Sequence, residues 1–193
     1  YNAQNRAIKR KELNIDDKIV ITNIGRLNHQ KNQFFILDLI KNFSNILSQY
    51  LFIFVGVGED TEKIKTYIKK HQLEKTVLLL GSRNDIPDIL SASDLFLFPS
   101  VFEGSPVSVI EAEANGIPSL VSQESYTEQR KLSNTISILS LREDSEKWLN
   151  HILKQISEKP SDKNRLANSN ANISYLSDNH LDILESSHIL QNY

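Results

Sequence analysis

Short runs of almost wholly apolar residues recur along the chain, and segments with helical patterns separate them. The first run, Ile19 to Ile24, reads IVITNI, and the second, Leu51 to Val55, reads LFIFV. The six runs are 19–24, 51–55, 76–80, 95–98, 117–121 and 135–139. Strands that are apolar throughout and alternate with helices indicate a parallel sheet with both faces covered.

The 193 residues fit one domain with a substantial core. The alternation over this length predicts a doubly wound, mostly parallel, Rossmann-like α/β sheet. Ligands bind such sheets at the carboxyl ends of the strands, where the winding reverses.

Both ends of the chain are expected to lie outside the sheet. Residues 1–17 are predicted to form a lead-in helix with a solvated basic face rather than a binding patch. Residues 160–193 are predicted to form a C-terminal tail, with a loop or broken helix over 159–172 and a final helix over 178–191. Since the sequence begins at Tyr1 and contains no methionine, we expect a piece of a longer protein.

Composition excludes several classes of function. The net charge of -2 gives no basic field for nucleic acid, and the absence of cysteine excludes disulfides and thiolate zinc sites. The five histidines show no metal-binding spacing. No apolar run approaches the roughly 20 residues that span a bilayer, and no signal peptide is visible.

The segment Pro99 to Gly116, PSVFEGSPVSVIEAEANG, carries the most chemical information. Ser105 is a suitable N-cap and Pro106 suits the first helical position, so a helix is predicted to start there. A helix amino terminus favours phosphate. Glu103 precedes this helix, and Glu111 is predicted on its inward stripe. Two acids around a phosphate site suggest a ligand with hydroxyls and phosphate, such as a nucleotide-sugar.

A second segment, Gly25-Arg-Leu-Asn-His-Gln-Lys-Asn32, follows the first strand. Together with the Glu103-x7-Glu111 spacing, it resembles the signature of retaining glycosyltransferases of the family-4 type, which have the two-domain GT-B fold. The similarity extends from about residue 19 to residue 153. The chain looks like the C-terminal, donor-binding half, of the branch found in bacterial capsular and exopolysaccharide clusters.

The resemblance implies a role for each matching residue. Arg26 and Lys31 would stabilise charge on the departing diphosphate, Glu103 would hold the donor sugar, and these three form the catalytic set. Glu111 would hold the ribose hydroxyls. The remaining substrate-binding residues would be Gly25, Gly58, Ser82, Arg83, Gly104, Ser105 and Pro106. No cofactor or metal ion is expected, because two cations and a helix terminus can meet the diphosphate charge.

Two positions depart from the family pattern. Ser105 stands where a larger or different residue is common, which leaves the preference for a particular sugar open. Glu113 adds a further acid to the helix and is predicted to face outward without a role.

The favoured interpretation is the donor domain of a hexosyltransferase, with a UDP-sugar preferred over a GDP-sugar as donor and a glycan or lipid-linked acceptor. The N-terminal acceptor domain is expected to be absent, so this chain alone should be inactive. The family implies a cytoplasmic location and allows peripheral contact with the inner membrane. Two alternatives stay open, namely a nucleotide-sugar-binding module without catalysis and a GT-B nucleotide-sugar epimerase.

Overall fold

The computed structural model describes residues 1–127 and 133–179. A 3₁₀ turn at Leu47–Gln49 precedes the second strand. The strands are β1 (Ile19–Ile24), β2 (Tyr50–Val55), β3 (Val77–Gly81), β4 (Leu95–Phe98), β5 (Ser119–Ser122) and β6 (Ile136–Leu139). The helices are α1 (Ala3–Glu12), α2 (Gln33–Asn42), α3 (Thr61–Lys70), α4 (Ile86–Ala92), α5 (Val107–Asn115), α6 (Ser145–Ser157) and α7 (Asp162–Asn179).

The six strands form one sheet in the order β3-β2-β1-β4-β5-β6, and every pairing is parallel. This order confirms the predicted doubly wound, Rossmann-like fold. The winding reverses between β1 and β4, so the loops that leave these two strands flank the switch point.

Each face of the sheet packs against its own set of helices. Successive side chains of β1 point to opposite faces. Ile21 joins a core with Ile36 of α2 and Trp148 of α6. Its neighbour Val20 joins the opposite core with Val109 of α5. The strands are therefore apolar throughout because both of their faces are buried.

Helix α2 is shorter than the sequence pattern suggests. Apolar spacing predicts a helix over 31–47, but α2 ends at Asn42. Phe43 leaves the helical conformation, and Leu47 packs into the core from the 3₁₀ turn that follows. Tertiary packing accounts for the apolar residues beyond the end of the helix.

The prediction that the basic face of α1 is solvated is wrong. Lys9 and Arg10 are buried. Arg10 donates to the carbonyl oxygens of Ala92 at 2.7 Å and of Ile15 at 2.9 Å. Lys9 forms an ion pair with Asp85 at 2.6 Å. Lys9 and Arg10 thus attach α1 to the two ends of α4, and Arg10 supplies a donor to the last carbonyl of that helix.

The prediction of a loop or broken helix over 159–172 is also wrong, because α7 runs through Asp162–Asn179. Its polar residues bind the end of α5. The Ser169 hydroxyl donates to the Ala114 carbonyl at 2.6 Å, and the Asn172 amide donates to the Glu113 carbonyl at 2.6 Å. A polar sequence thus forms a packed helix because its side chains satisfy carbonyls that end another helix. Apart from its first two residues, the final helix predicted over 178–191 lies outside the described residues.

Candidate functional site

The predicted site residues gather at the carboxyl edge of the sheet. Four loops supply them, following β1, β2, β3 and β4, and only Glu111 lies within a helix. The four loops carry Gly25, Arg26, Lys31, Gly58, Ser82, Arg83, Glu103, Gly104, Ser105 and Pro106. Because all strands run in parallel, loops widely separated in sequence meet at one edge.

The loops that follow β1 and β4 are joined by hydrogen bonds across the switch point. The Val101 amide donates to the Gln30 carbonyl at 2.8 Å, and the Gln30 side chain donates to the Phe102 carbonyl at 3.0 Å. The Asn32 side chain donates to the Pro99 carbonyl at 3.0 Å. The two segments singled out in the sequence therefore form a single structural unit.

Lys31 and Glu103 form the charged centre of this unit. Their Nζ and Oε1 atoms lie 2.7 Å apart, and their side chains are only 16% and 6% exposed. The Ser100 hydroxyl lies 2.5 Å from the same carboxylate oxygen. The Lys31 ammonium also stands 4.8 Å from the centre of the Phe98 ring. Two residues predicted to touch different parts of a ligand thus contact each other here.

Gly25 and Gly58 are required by close packing at this edge. A Cβ on Gly25 would lie 2.9 Å from Cε of Lys31, and the φ of +151° is itself unfavourable for other residues. A Cβ on Gly58 would lie 2.3 Å from the Leu27 carbonyl oxygen. Gly25 therefore makes room for the Lys31 side chain, and Gly58 makes room for the loop that follows β1. The predicted ligand contacts of both glycines stay predictions.

Arg26 is exposed, and no other described residue forms a hydrogen bond or ion pair with its guanidinium group. Its carbonyl, in contrast, accepts from the Gln33 side chain at 3.2 Å. Gln33 is 1% exposed, and it also donates to Asn23 at 3.1 Å. The guanidinium of Arg26 is therefore accessible while its backbone is held in place.

Gln33 and Asn23 escaped the sequence analysis. Asn23 donates onward to the Leu97 carbonyl at 2.9 Å, which links β1 to β4 next to the switch point. The available signal was an asparagine inside the otherwise apolar run IVITNI, because a buried amide needs partners. Through these hydrogen bonds, Asn23 and Gln33 hold the backbone of the candidate site in place.

The start of α5 differs from the prediction by one residue. The helix begins at Val107, Pro106 occupies the N-cap position, and no side chain caps the helix. The Val107 amide instead donates to the Ser105 carbonyl at 3.0 Å. The predictions of Ser105 as N-cap and Pro106 as first helical residue are wrong, because this local turn replaces the side-chain cap.

The segment that leads into α5 leaves room beside it. Ser105 is exposed, and its hydroxyl takes no part in capping the helix. A methyl group on Gly104 would meet no atom within 4 Å. The space beside the Cα atom of Gly104 is therefore open to a ligand.

Glu111 and Glu113 lie on the same helix in different surroundings. Glu111 is partly buried, and burial raises the pKa of its carboxyl to about 7. The inward stripe that Glu111 is predicted to share with Val107 and Ala114 is buried only in part, since Ala114 is fully buried whereas Val107 is 38% exposed. Glu113 is 0% exposed and accepts from the Tyr126 hydroxyl at 2.8 Å. The prediction that Glu113 faces outward is wrong, and its carboxylate holds the chain after β5 against α5.

Arg83 is engaged in ion pairs, whereas its neighbour Ser82 is exposed. The guanidinium donates to both carboxylate oxygens of Asp85, at 2.8 and 2.6 Å, and lies 3.4 Å from Glu12 of α1. The hydrogen bonds from Arg83 hold the pKa of Asp85 well below its usual range. The predicted substrate contact of Ser82 and Arg83 stays a prediction, and for Arg83 it competes with this bidentate pair.

Across residues 1–127 and 133–179, no group of three or more histidine, aspartate or glutamate side chains could hold a metal ion. None of the helices formed by those residues is long and apolar enough to cross a bilayer.

Fold and site together define a Rossmann-like domain with a charged, partly open ligand edge at its switch point. The sequence profile described as "Glycosyl transferases group 1" matches residues 4–172. The chain belongs to this family.

Two relatives of known sequence are bacterial glycosyltransferases. An Escherichia coli protein named UDP-Gal:alpha-D-GlcNAc-diphosphoundecaprenol alpha-1,3-galactosyltransferase is 41% identical over 109 residues, which is 55% of this chain and 28% of that protein. The Staphylococcus aureus capsular polysaccharide biosynthesis glycosyltransferase CapH is 37% identical over 92 residues, or 46% of this chain and 26% of that protein. The chain thus matches about a quarter of the length of these relatives.

A solved structure shares the fold. Anabaena HepE, described in complex with UDP-glucose, superposes with a TM-score of 0.70 at 22% identity. The superposition covers 97% of this chain and 52% of HepE. Almost the whole chain therefore corresponds to about half of HepE.

Proposed function

We propose that this chain is the donor-binding domain of a retaining hexosyltransferase that takes its sugar from a UDP-sugar. The E. coli relative is named for a UDP-Gal donor, and HepE is described with UDP-glucose. The acceptor is a glycan or a lipid-linked sugar. The family favours this function over an epimerase and over a binding module without catalysis.

One observation carries the proposal. The loops after β1 and β4 are joined at the switch point and bring Lys31 into contact with Glu103, while the exposed Arg26 lies in the same loop as Lys31. Cations beside the amino terminus of α5 suit a diphosphate, and a carboxylate beside them suits sugar hydroxyls. These are the groups that a nucleotide-sugar needs.

Each residue has a distinct part in this proposal. Arg26 and Lys31 stabilise the negative charge that grows on the diphosphate as the sugar leaves. Glu103 holds the sugar. Glu111 holds the ribose and lies roughly 6 Å along α5 from the first residue of that helix, Val107. Because the cations and the helix terminus meet the diphosphate charge, donor binding requires no metal ion.

The whole protein is proposed to contain more than this domain. Residues 1–193 form the donor domain, and the acceptor site lies in a further N-terminal domain. This chain alone should transfer no sugar to any acceptor. The enzyme works in the cytoplasm, where nucleotide-sugars are available, and the full-length form can contact the membrane peripherally.

Calorimetry tests the assignment. UDP, UDP-glucose, UDP-galactose and GDP are titrated into the chain in EDTA and again with Mg²⁺. We expect UDP and at least one UDP-sugar to bind equally well under both conditions. Binding that needs Mg²⁺ would contradict the phosphate assignment, and absence of any nucleotide binding would contradict the donor domain itself.

A pair of variants separates the two glutamates. Glu111→Gln should weaken UDP and UDP-sugar by similar factors, because both ligands contain the ribose. Glu103→Gln should lose affinity for the complete donor without weakening UDP. Equal losses of UDP affinity in the two variants would mean that both acids serve the nucleotide or the fold.

A further inference from the structure

The Lys31–Glu103 ion pair occupies groups that the donor needs. Its Nζ–Oε1 distance is 2.7 Å, and both side chains are largely buried. If Lys31 binds diphosphate and Glu103 binds sugar, the donor must exchange this contact for two others. The ion pair therefore competes with the ligand for both side chains.

Ser100 has a hydroxyl with a choice of two acceptors. It is 0% exposed, and its Oγ lies 2.5 Å from Glu103 Oε1 and 2.8 Å from the Gln30 carbonyl oxygen. A serine hydroxyl has one proton, so it donates fully to only one of them. The carboxylate is the stronger acceptor because its hydrogen bonds are charge-assisted.

The Gln30 carbonyl does not depend on Ser100. It already accepts from the Val101 amide at 2.8 Å. When Glu103 turns away, Ser100 can donate to Gln30 and leave no buried donor unsatisfied. The Ser122 hydroxyl meanwhile donates to the Ser100 carbonyl, so the backbone of Ser100 stays fixed. The surroundings thus permit Glu103 two positions.

We infer that Ser100 is a positioning residue that holds Glu103 on Lys31 until a complete donor arrives. This inference rests on the proposed function. A nucleoside diphosphate that lacks the transferred sugar must separate Lys31 from Glu103 in order to bind. It offers Glu103 no new hydrogen-bond partner. A complete donor supplies a sugar hydroxyl in exchange. The device therefore favours the donor over the nucleoside diphosphate that remains after transfer.

The affinity ratio of UDP-sugar to UDP is the quantity that tests this device. Calorimetry measures both dissociation constants for wild type, Ser100→Ala and Glu103→Gln. Glu103→Gln removes the carboxylate charge and should tighten UDP binding by about threefold to tenfold. That factor corresponds to the free energy of a partly buried ion pair. Ser100→Ala should lower the affinity ratio in the same direction with a smaller effect. Circular dichroism checks that each variant is folded.

Two control variants match the changes without touching the device. Asp60→Asn neutralises another carboxylate that forms a 2.7 Å lysine ion pair, with Lys63, after a neighbouring strand. Ser93→Ala removes an equally buried hydroxyl at the opposite edge of the sheet. We expect both controls to leave the affinity ratio unchanged.

The outcomes separate the two proposals. Tighter UDP binding and a lower affinity ratio in both site variants would support the device. Unchanged ratios, or equal weakening of UDP and UDP-sugar, would overturn it while the donor domain stands. If wild type binds neither ligand, the proposed function fails and this inference fails with it.

Discussion

The two edges of the sheet hold similar charged residues in different ways. At the amino edge, the Asp94 carboxylate accepts hydrogen bonds from Arg6 at 2.8 Å, from Lys159 at 2.9 Å and from the Val20 amide at 2.9 Å. Burial would raise the pKa of the Asp94 carboxyl, but Arg6, the Val20 amide and Lys159 together lower it. At the carboxyl edge, Arg26 is exposed.

The difference teaches what each edge is for. A buried charge is stable only when its hydrogen bonds are satisfied within the protein. The amino edge meets this condition with contacts from α1 and α7, and so joins the ends of the chain to the sheet. The carboxyl edge leaves a guanidinium open and pairs Lys31 with a single carboxylate, Glu103. A ligand can therefore compete for these two cations at the carboxyl edge.

Arg165→Met should give the largest change, a loss of about 3 kcal/mol in the free energy of unfolding. The guanidinium donates to the carbonyls of Leu90 at 2.6 Å and Ser93 at 2.8 Å. It also donates to the Asn115 side chain. Methionine keeps the apolar stem but removes all of these buried hydrogen bonds. Urea denaturation provides the measurement.

The matched control for Arg165 is Arg26→Met at the other edge. Its guanidinium is exposed, so the free energy of unfolding should stay within about 0.5 kcal/mol of wild type. Similar losses for the two variants would erase the distinction between the edges.

Glu111→Gln tests a carboxyl in α5, the helix that runs from one edge toward the other. Burial raises the pKa of the folded protein's Glu111 to about 7 from 4.5, so the folded state binds the proton more tightly. The stabilisation is complete below about pH 4.5 and is lost as the pH rises toward 7. Relative to Glu111→Gln, wild type should lose up to about 3 kcal/mol between pH 4.5 and 8.

Denaturation at several pH values measures that loss. Glu146→Gln serves as the control, because Glu146 is an exposed carboxylate in the first turn of α6. Parallel pH profiles for wild type and Glu111→Gln would show that Glu111 is not the group responsible.

Arg26→Ala should act on the ligand alone. We expect UDP binding to weaken by about 1.5–3 kcal/mol, the size of a charge-assisted hydrogen bond, with no change in thermal stability. Calorimetry and a melting curve on the same sample measure both quantities. A much smaller loss of affinity would place this guanidinium in solvent in the complex.

Ser105→Ala should give the smallest effect. Because the Ser105 hydroxyl does not cap α5, its removal should change the free energy of unfolding by less than about 0.5 kcal/mol. Asp144→Ala is the comparison, since the Asp144 side chain accepts from the Lys147 amide at 2.7 Å as the N-cap of α6. Loss of that cap should cost about 1 kcal/mol. A similar loss at Ser105 would restore the predicted cap.

The sequence by itself determined the sheet and the edge at which the candidate site is proposed. The run IVITNI and the run LFIFV each became a strand buried on both faces, because an unbroken apolar run has few other stable arrangements. Parallel strands then required the loops after 19–24 and 95–98 to meet at one edge. The Glu103-x7-Glu111 spacing marked that edge without any coordinates.

Only the tertiary structure decided which polar residues are buried and what they contact. Nothing local in the sequence reveals that Glu113 meets Tyr126, or that the polar helix α7 satisfies the carbonyls that end α5. The same is true of Ser100, whose hydroxyl lies between Glu103 and the Gln30 carbonyl. Ser100 and Gln30 are 70 residues apart along the chain. The physical reason is that an apolar side chain needs only the absence of water, whereas a buried polar group needs a particular partner. That partner comes from a distant part of the chain, and only folding brings it near.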